Sequence, residues 1–473
     1  MNESAPNEHP FLRFPHATLV SLSIPVLFSL VAEPLTGLVD TAFVARLGAV
    51  SLAALGVGAV VLAGVFWIFN FLGIATQTHV AQAAGRTDRQ RAGRLTALSL
   101  AMGGGFGLLM IMVGWPAASP AAVAMGAEGE VHRLAVDYIQ VRCLGAPAVL
   151  VTIAAFGSLR GLQDMGAPLR VAIGINAINV FLDALLIFGY GPIPALGVVG
   201  AALASAISQW IGAGWAVWLV HRRIRLTAGI SIQDARDLLR AGGDLFVRTG
   251  LLTVFLLLCT RSATRMGPDA GAAHQAVRQV WVFTALLLDA FAISGQSLIG
   301  YFQGSRMIGE ARRVAGFVCG WSLGIGIAVG LLMIAGTTVA VRLLVPASAA
   351  ALFLPAWQVA AIAQPLNAIS FATDGIHWGT GDFRFLRNVI ALATICGSLG
   401  LALLDESRQE ALTWIWIVTT IWIVIRAFFG MARIWPGIGN SPLANKSPFD
   451  GPEAGGIRSE PGPKANREAK REG

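Results

Sequence analysis

The chain has 473 residues, 55% hydrophobic and only 13% charged, with a mean hydropathy of +0.68. A soluble domain carries about 25% charged residues, so this composition excludes one. The net charge of +8 does not point to nucleic acid, because the basic residues sit in short loops and the tail with no aromatics interleaved.

Stretches free of formal charge run from Leu47 to Gly85, Leu95 to Ala127, Val314 to Val341 and Leu343 to Thr373. Each exceeds the roughly 20 residues that cross a bilayer as a helix. The first 16 residues are polar and show no signal-peptide pattern, so no cleaved leader is expected. Apolar runs and turn signals predict twelve helices, near 17–45, 50–80, 92–116, 131–157, 166–190, 196–222, 238–266, 272–300, 312–336, 351–379, 385–404 and 410–434. The loops after the even-numbered helices are basic, with Arg86, Arg89, Arg91 and Arg94 after the second and Arg222, Arg223 and Arg225 after the sixth. The opposite loops are poor in arginine, and two are acidic (Glu128 with Glu130, Asp405 with Glu406). The arginine-rich loops and both termini are therefore expected in the cytoplasm.

A repeat appears at an offset of about 219. Arg46-Leu47-Gly48 parallels Arg265-Met266-Gly267, Gly85 to Arg94 parallels Gly304 to Arg313, and Gly161-Leu162-Gln163-Asp164 parallels Gly379-Thr380-Gly381-Asp382. Six helices separate the copies, so both halves share one orientation. The fold class expected is an all-α polytopic membrane protein, twelve transmembrane helices in two pseudo-symmetric six-helix lobes. The domains expected are an N-terminal segment 1–16, a lobe 17–222, a connecting loop 223–237, a lobe 238–436, and a disordered tail 437–473 whose Pro, Gly, Ser and charge content disfavours a core.

Glu33 and Asp40 lie in an otherwise apolar run, seven residues and about two helical turns apart. An intramembrane carboxylate costs roughly 2.5–3.5 kcal/mol on insertion scales and by default marks an ion or substrate path. In the fifth helix Asn176, Asn179 and Asp183 share one face, and Tyr138 lies early in the fourth. Asp40, Asp183 and Tyr138 all fall on the order of 10 Å below the outer surface at 1.5 Å per residue. At the repeat offset Asp40 matches Cys259 and Asp183 matches Ala402, so the cluster belongs to the first half alone.

Two neighbouring carboxyls away from water resist double ionisation, which suits proton uptake and release. The same oxygens, with Asn179 and Tyr138, offer ligands to Na⁺. Asp289 is either a second ionisable site or a partner of Arg278 or Arg248. His274 and Gln275 are candidates for a cavity wall, a structural histidine being the alternative, and Asp374 reads as a capping group. Pro25 removes a backbone hydrogen bond from the first helix and permits a bend there. The four cysteines have neither metal-ligand spacing nor a disulfide pattern, and no zinc-ligand or Ser/His nucleophile arrangement indicates an enzyme. No metal site is expected beyond possible Na⁺ at Asp40, Asp183 and Asn179.

Several of these residues form known motifs. Glu33-Pro34-Leu35-Thr36-Gly37-Leu38-Val39-Asp40-Thr41-Ala42-Phe43-Val44 with Leu47-Gly48 resembles the first helix of multidrug and toxic compound extrusion (MATE) transporters, and is most similar to their DinF-like branch. The resemblance continues in Arg160-Gly161-Leu162-Gln163-Asp164, Ala272-Ala273-His274-Gln275, Asp289 to Gln296, and Asp374 to Asp382. It implies an alternating-access antiporter that exports organic, cationic or lipophilic compounds against inward H⁺, with Na⁺ the second choice, and that uses no cofactor besides the coupling ion. It also implies a cation site at Asp40, Asp183, Asn179 and Tyr138, with Asn176 nearby and a helix bend at Pro25. The other partner expected is membrane lipid, the state a monomer, and the location a bacterial-type inner membrane. A lipid-intermediate flippase of a related two-lobe fold is the alternative.

Overall fold

The structure, a computed structural model, describes residues 9–444 apart from 228, 230 and 409, and at residue 33 the backbone alone. In the first half the helices are α1 (Pro10–Arg13), α2 (Pro15–Ala45), α3 (Ala49–Ile68), α4 (Asn70–Gly85), α5 (Arg89–Ala124), α6 (Gly129–Cys143), α7 (Ala146–Gly161), α8 (Gly166–Phe188) and α9 (Gly197–Arg223). In the second they are α10 (Ile232–Arg265), α11 (Pro268–Gly304), α12 (Ile308–Ala335), α13 (Thr337–Leu344), α14 (Ala350–Ile362), α15 (Gln364–Thr380), α16 (Phe383–Ala402) and α17 (Ala411–Ile434). Among the described residues ten helices, counting α3–α4 as one, are long and apolar enough to cross a membrane, and twelve spans result when two bent pairs are included. The chain is an all-α polytopic membrane protein.

The bent pairs are α6–α7, at 47°, and α14–α15, at 48°. The sequence reading took each as one straight helix. Pro147 and Pro365 each stand at the second residue of the later segment, where a missing N–H is tolerated and the preceding ladder is interrupted. They are 218 residues apart, so the break itself is repeated. The backbone repeats too: Gly48 and Gly267 both precede a helix at φ +107° and +111°, a region glycine enters freely. Thr87 and Arg306 (φ +57° and +61°), then Gln163 and Gly381 (+62° and +76°), form matching corners.

Three boundaries differ from expectation. The connection between halves is shorter than 223–237, because α10 begins at Ile232. The Ser231 side chain accepts from the Asp234 N–H, and Asp234 pairs with Arg91 of α5 at 3.0 Å. This cap and ion pair stabilise a helical turn outside the apolar run. The start of the chain is docked from residue 9: His9 caps α1, reaches Gln163 at 2.9 Å, and leads into buried Phe11. Burial holds the His9 imidazole below its ordinary range. At the other end, Arg433 binds the carbonyls of Ile438 and Asn440, and Leu443 is buried. Residues 437–444 are thus part of the fold; the rest of the tail expected to be disordered lies outside the described residues.

Candidate functional site

In the first half α8 packs along α2 and α9, which brings the candidate carboxylates together. Asp40, near the end of α2, is 8% exposed, while Asp183 and Asn179 of α8 are 0% and 1% exposed. The carboxyls of Asp40 and Asp183 lie within hydrogen-bonding reach of each other. Asn179 is one turn before Asp183 on the same face. Its amide donates to the Ser205 hydroxyl at 3.4 Å, and that hydroxyl donates to Asp40 Oδ2 at 3.4 Å.

The remaining acceptors of this cluster are unmatched. Asp40 Oδ1, both oxygens of Asp183 and Asn179 Oδ1 are buried with no donor in reach. Native interiors leave few polar atoms in this state, and four acceptor oxygens gathered on neighbouring side chains are the complement of a cation. A proton shared between the carboxyls, or a small bare cation, satisfies them.

Tyr138, buried on α6, is accommodated because Gly58 of α3 leaves room for its ring; a Cβ at that glycine would overlap it, and the phenol meets the carboxyl pair through its electrostatic field alone. Beside it stands Arg142, one turn further along α6, whose guanidinium acts electrostatically on Asp40, Asp183 and Tyr138. Sequence reasoning missed both Ser205 and Arg142. Arg142 had a signal, an arginine four residues from Tyr138 in a predicted span. Ser205 had none, being a small hydroxyl in an apolar helix.

Asn176 is placed elsewhere. Its amide donates to the Ala32 carbonyl at 2.8 Å and its oxygen accepts from the Thr36 hydroxyl, so it fastens α8 to α2 below the carboxyl pair. Pro25 lies within an uninterrupted α2, which also accommodates Pro34. The Glu33 side chain lies outside the described residues.

In the second half, Asp374 is not a capping group. It is buried in mid-helix on α15, and its Oδ2 accepts from Arg248 of α10 and, at 2.6 Å, from Arg426 of α17. Both guanidiniums also rest on rings, Arg248 over Trp378 and Arg426 over Trp422. A lone carboxylate inside the membrane needs such partners, and they come from helices 126 and 52 residues away in sequence. Asp289 stands within the field of this group and of Arg160, with Oδ1 buried and unpartnered. His274 turns into the second half against Thr260 (3.3 Å) and the Trp416 ring, while its neighbour Gln275 is exposed on another side of α11.

Among the described residues, Ser205→Ala removes the one hydroxyl that links Asn179 to Asp40. One such hydrogen bond contributes about 1 kcal/mol. The expected result is a small loss of stability, an unfolding midpoint lowered by roughly 1 °C for a chain of this size, read from thermal unfolding in detergent.

The MatE family model matches residues 25–185 and 245–402 of the chain. The protein DETOXIFICATION 44, chloroplastic, of Arabidopsis thaliana is 30% identical over 433 residues, covering 88% of this chain and 81% of its own length. The DNA damage-inducible protein F of Escherichia coli (strain K12) is 26% identical over 434 residues, covering 90% and 93%. A crystal structure of MATE in the bent conformation superposes with a TM-score of 0.82 at 22% identity, covering 88% of this chain and 94% of that one.

Proposed function

The chain belongs to the MatE family of multidrug and toxic compound extrusion transporters, and from that premise we propose that it is a cation-coupled antiporter whose coupling site is the Asp40–Asp183 cluster. As a family member it is an efflux transporter handling small organic compounds, not an enzyme. The observation that carries the coupling site is the set of four buried acceptor oxygens on Asp40, Asp183 and Asn179.

Two ionised carboxylates facing each other in a medium of low polarity repel strongly. Arg142 offsets one of the two negative charges. One monovalent cation then neutralises the remainder, so the cluster suits one coupling ion per cycle. A proton fits better than Na⁺, because the carboxyls are near enough to share one. Entry of the ion from outside relieves the repulsion between the two carboxyls across the α2–α8 contact, and its release on the other side restores it. This reading takes the arginine-rich end of the bundle as cytoplasmic and the two halves as rocking lobes.

Flux of an organic dye from proteoliposomes, with pH and sodium gradients imposed separately, tests the proposal. A pH gradient is expected to drive dye movement against its own gradient, and a sodium gradient alone to leave it near background. Dye movement indifferent to both gradients overturns the reading.

A further inference from the structure

The two halves touch through a reciprocal exchange of hydrogen bonds away from the carboxyl cluster. Among the described residues, the inner parts of α4 and α11 carry two pairs of hydrogen bonds related by the repeat offset, one between the two helices and one from them to α15 and α7, and Gln296 makes a further bond to the Thr78 hydroxyl at 2.9 Å. Gln77 of α4 donates its amide to the Ile293 carbonyl at 2.8 Å, and Gln296 of α11 donates to the Ile74 carbonyl at 2.9 Å. One position on, the Thr78 hydroxyl donates to the Trp378 carbonyl at 2.7 Å and the Ser297 hydroxyl to that of Arg160 at 2.5 Å. All four side chains are essentially sealed from solvent. Nearer the loops a Cβ on Gly85 would run into the Tyr301 carbonyl, and one on Gly304 into the Gln82 carbonyl. The seam is as close as two helix backbones can pack.

We infer that this glutamine exchange is the inner gate of the transporter, a seal that must open and re-form once per cycle. The inference rests on the alternating-access reading above. Three features suit a gate better than a fixed joint. Glutamine donates to carbonyls that also serve their own helices, so the seal can part without unwinding α4 or α11. No formal charge takes part, so parting leaves no unpaired ion in a low-dielectric site. The exchange is reciprocal, so the halves separate along one pseudo-twofold axis and each side carries part of the seal.

Spin labels on Arg86→Cys and Arg306→Cys, exposed at the ends of α4 and α11, report the opening in a background without the four native cysteines. In wild-type background the short distance is expected to dominate, with a longer population growing under an imposed pH gradient with dye. Gln77→Leu and Gln296→Leu are each expected to raise the ratio of long to short populations about tenfold, Gln296→Leu the more because it also loses the Thr78 contact, and the double variant more than either. If the double variant does not fold, the singles decide, since each leaves half the exchange in place. Unchanged ratios, or a shift from one glutamine only, overturn the inference while leaving the transport reading intact. A wild-type distance that never lengthens under any gradient overturns both.

Discussion

Asp40→Asn is expected to abolish gradient-driven export while leaving a folded protein in the membrane. Asparagine matches aspartate in shape, so packing of α2 against α8 is preserved. It changes the hydrogen bonding, because its NH₂ supplies the donor that the Asp183 oxygens lack in the wild type. The variant therefore imitates a permanently protonated pair and can no longer release a proton. Dye binding should persist, whereas flux driven by a pH gradient should fall at least a hundredfold, to the level of empty liposomes. Asp183→Asn is expected to do the same from the other side of the pair. A monodisperse elution profile in detergent separates loss of coupling from loss of fold. Wild-type flux by either variant removes the carboxyl pair from the mechanism.

Asp374→Ala should show the opposite pattern, a loss of stability. It leaves the buried guanidiniums of Arg248 and Arg426 without the carboxylate that both contact. Breaking a buried ion group in this way costs about 3–5 kcal/mol, on the order of a 3–5 °C lower unfolding midpoint for a chain of this size. Replacing all three together, Arg248→Met with Asp374→Leu and Arg426→Met, should recover most of that loss, since well-packed apolar groups substitute for a buried ion group. Thermal unfolding in detergent measures both. A single substitution that leaves the midpoint unchanged contradicts a stabilising role for the triad. By contrast, Asp405 in an exposed loop is held below the usual carboxylate range by the Ser407 side chain and backbone N–H and by Arg408, and its replacement should do little.

The sequence by itself determined where the chain crosses the membrane, because long uncharged runs have one stable solution in lipid, a helix that satisfies its own backbone. It also determined the repeat, since the matched Gly48 and Gly267 mark a backbone conformation that few other residues adopt. Asp40, Asn179 and Asp183 were legible as candidates because an ionisable residue in such a run is costly enough to need a reason. Only the tertiary structure decided their partners. Ser205 is unremarkable in sequence until α9 lays it between Asn179 and Asp40, and Asp374 looks like a helix-end group until two distant arginines close on it. The same holds for Gln77 and Gln296, ordinary amides until the halves meet. Periodicity and hydropathy act along one segment, whereas a hydrogen bond or ion pair across 50 to 220 residues depends on how finished helices pack, and that information appears only once they have done so.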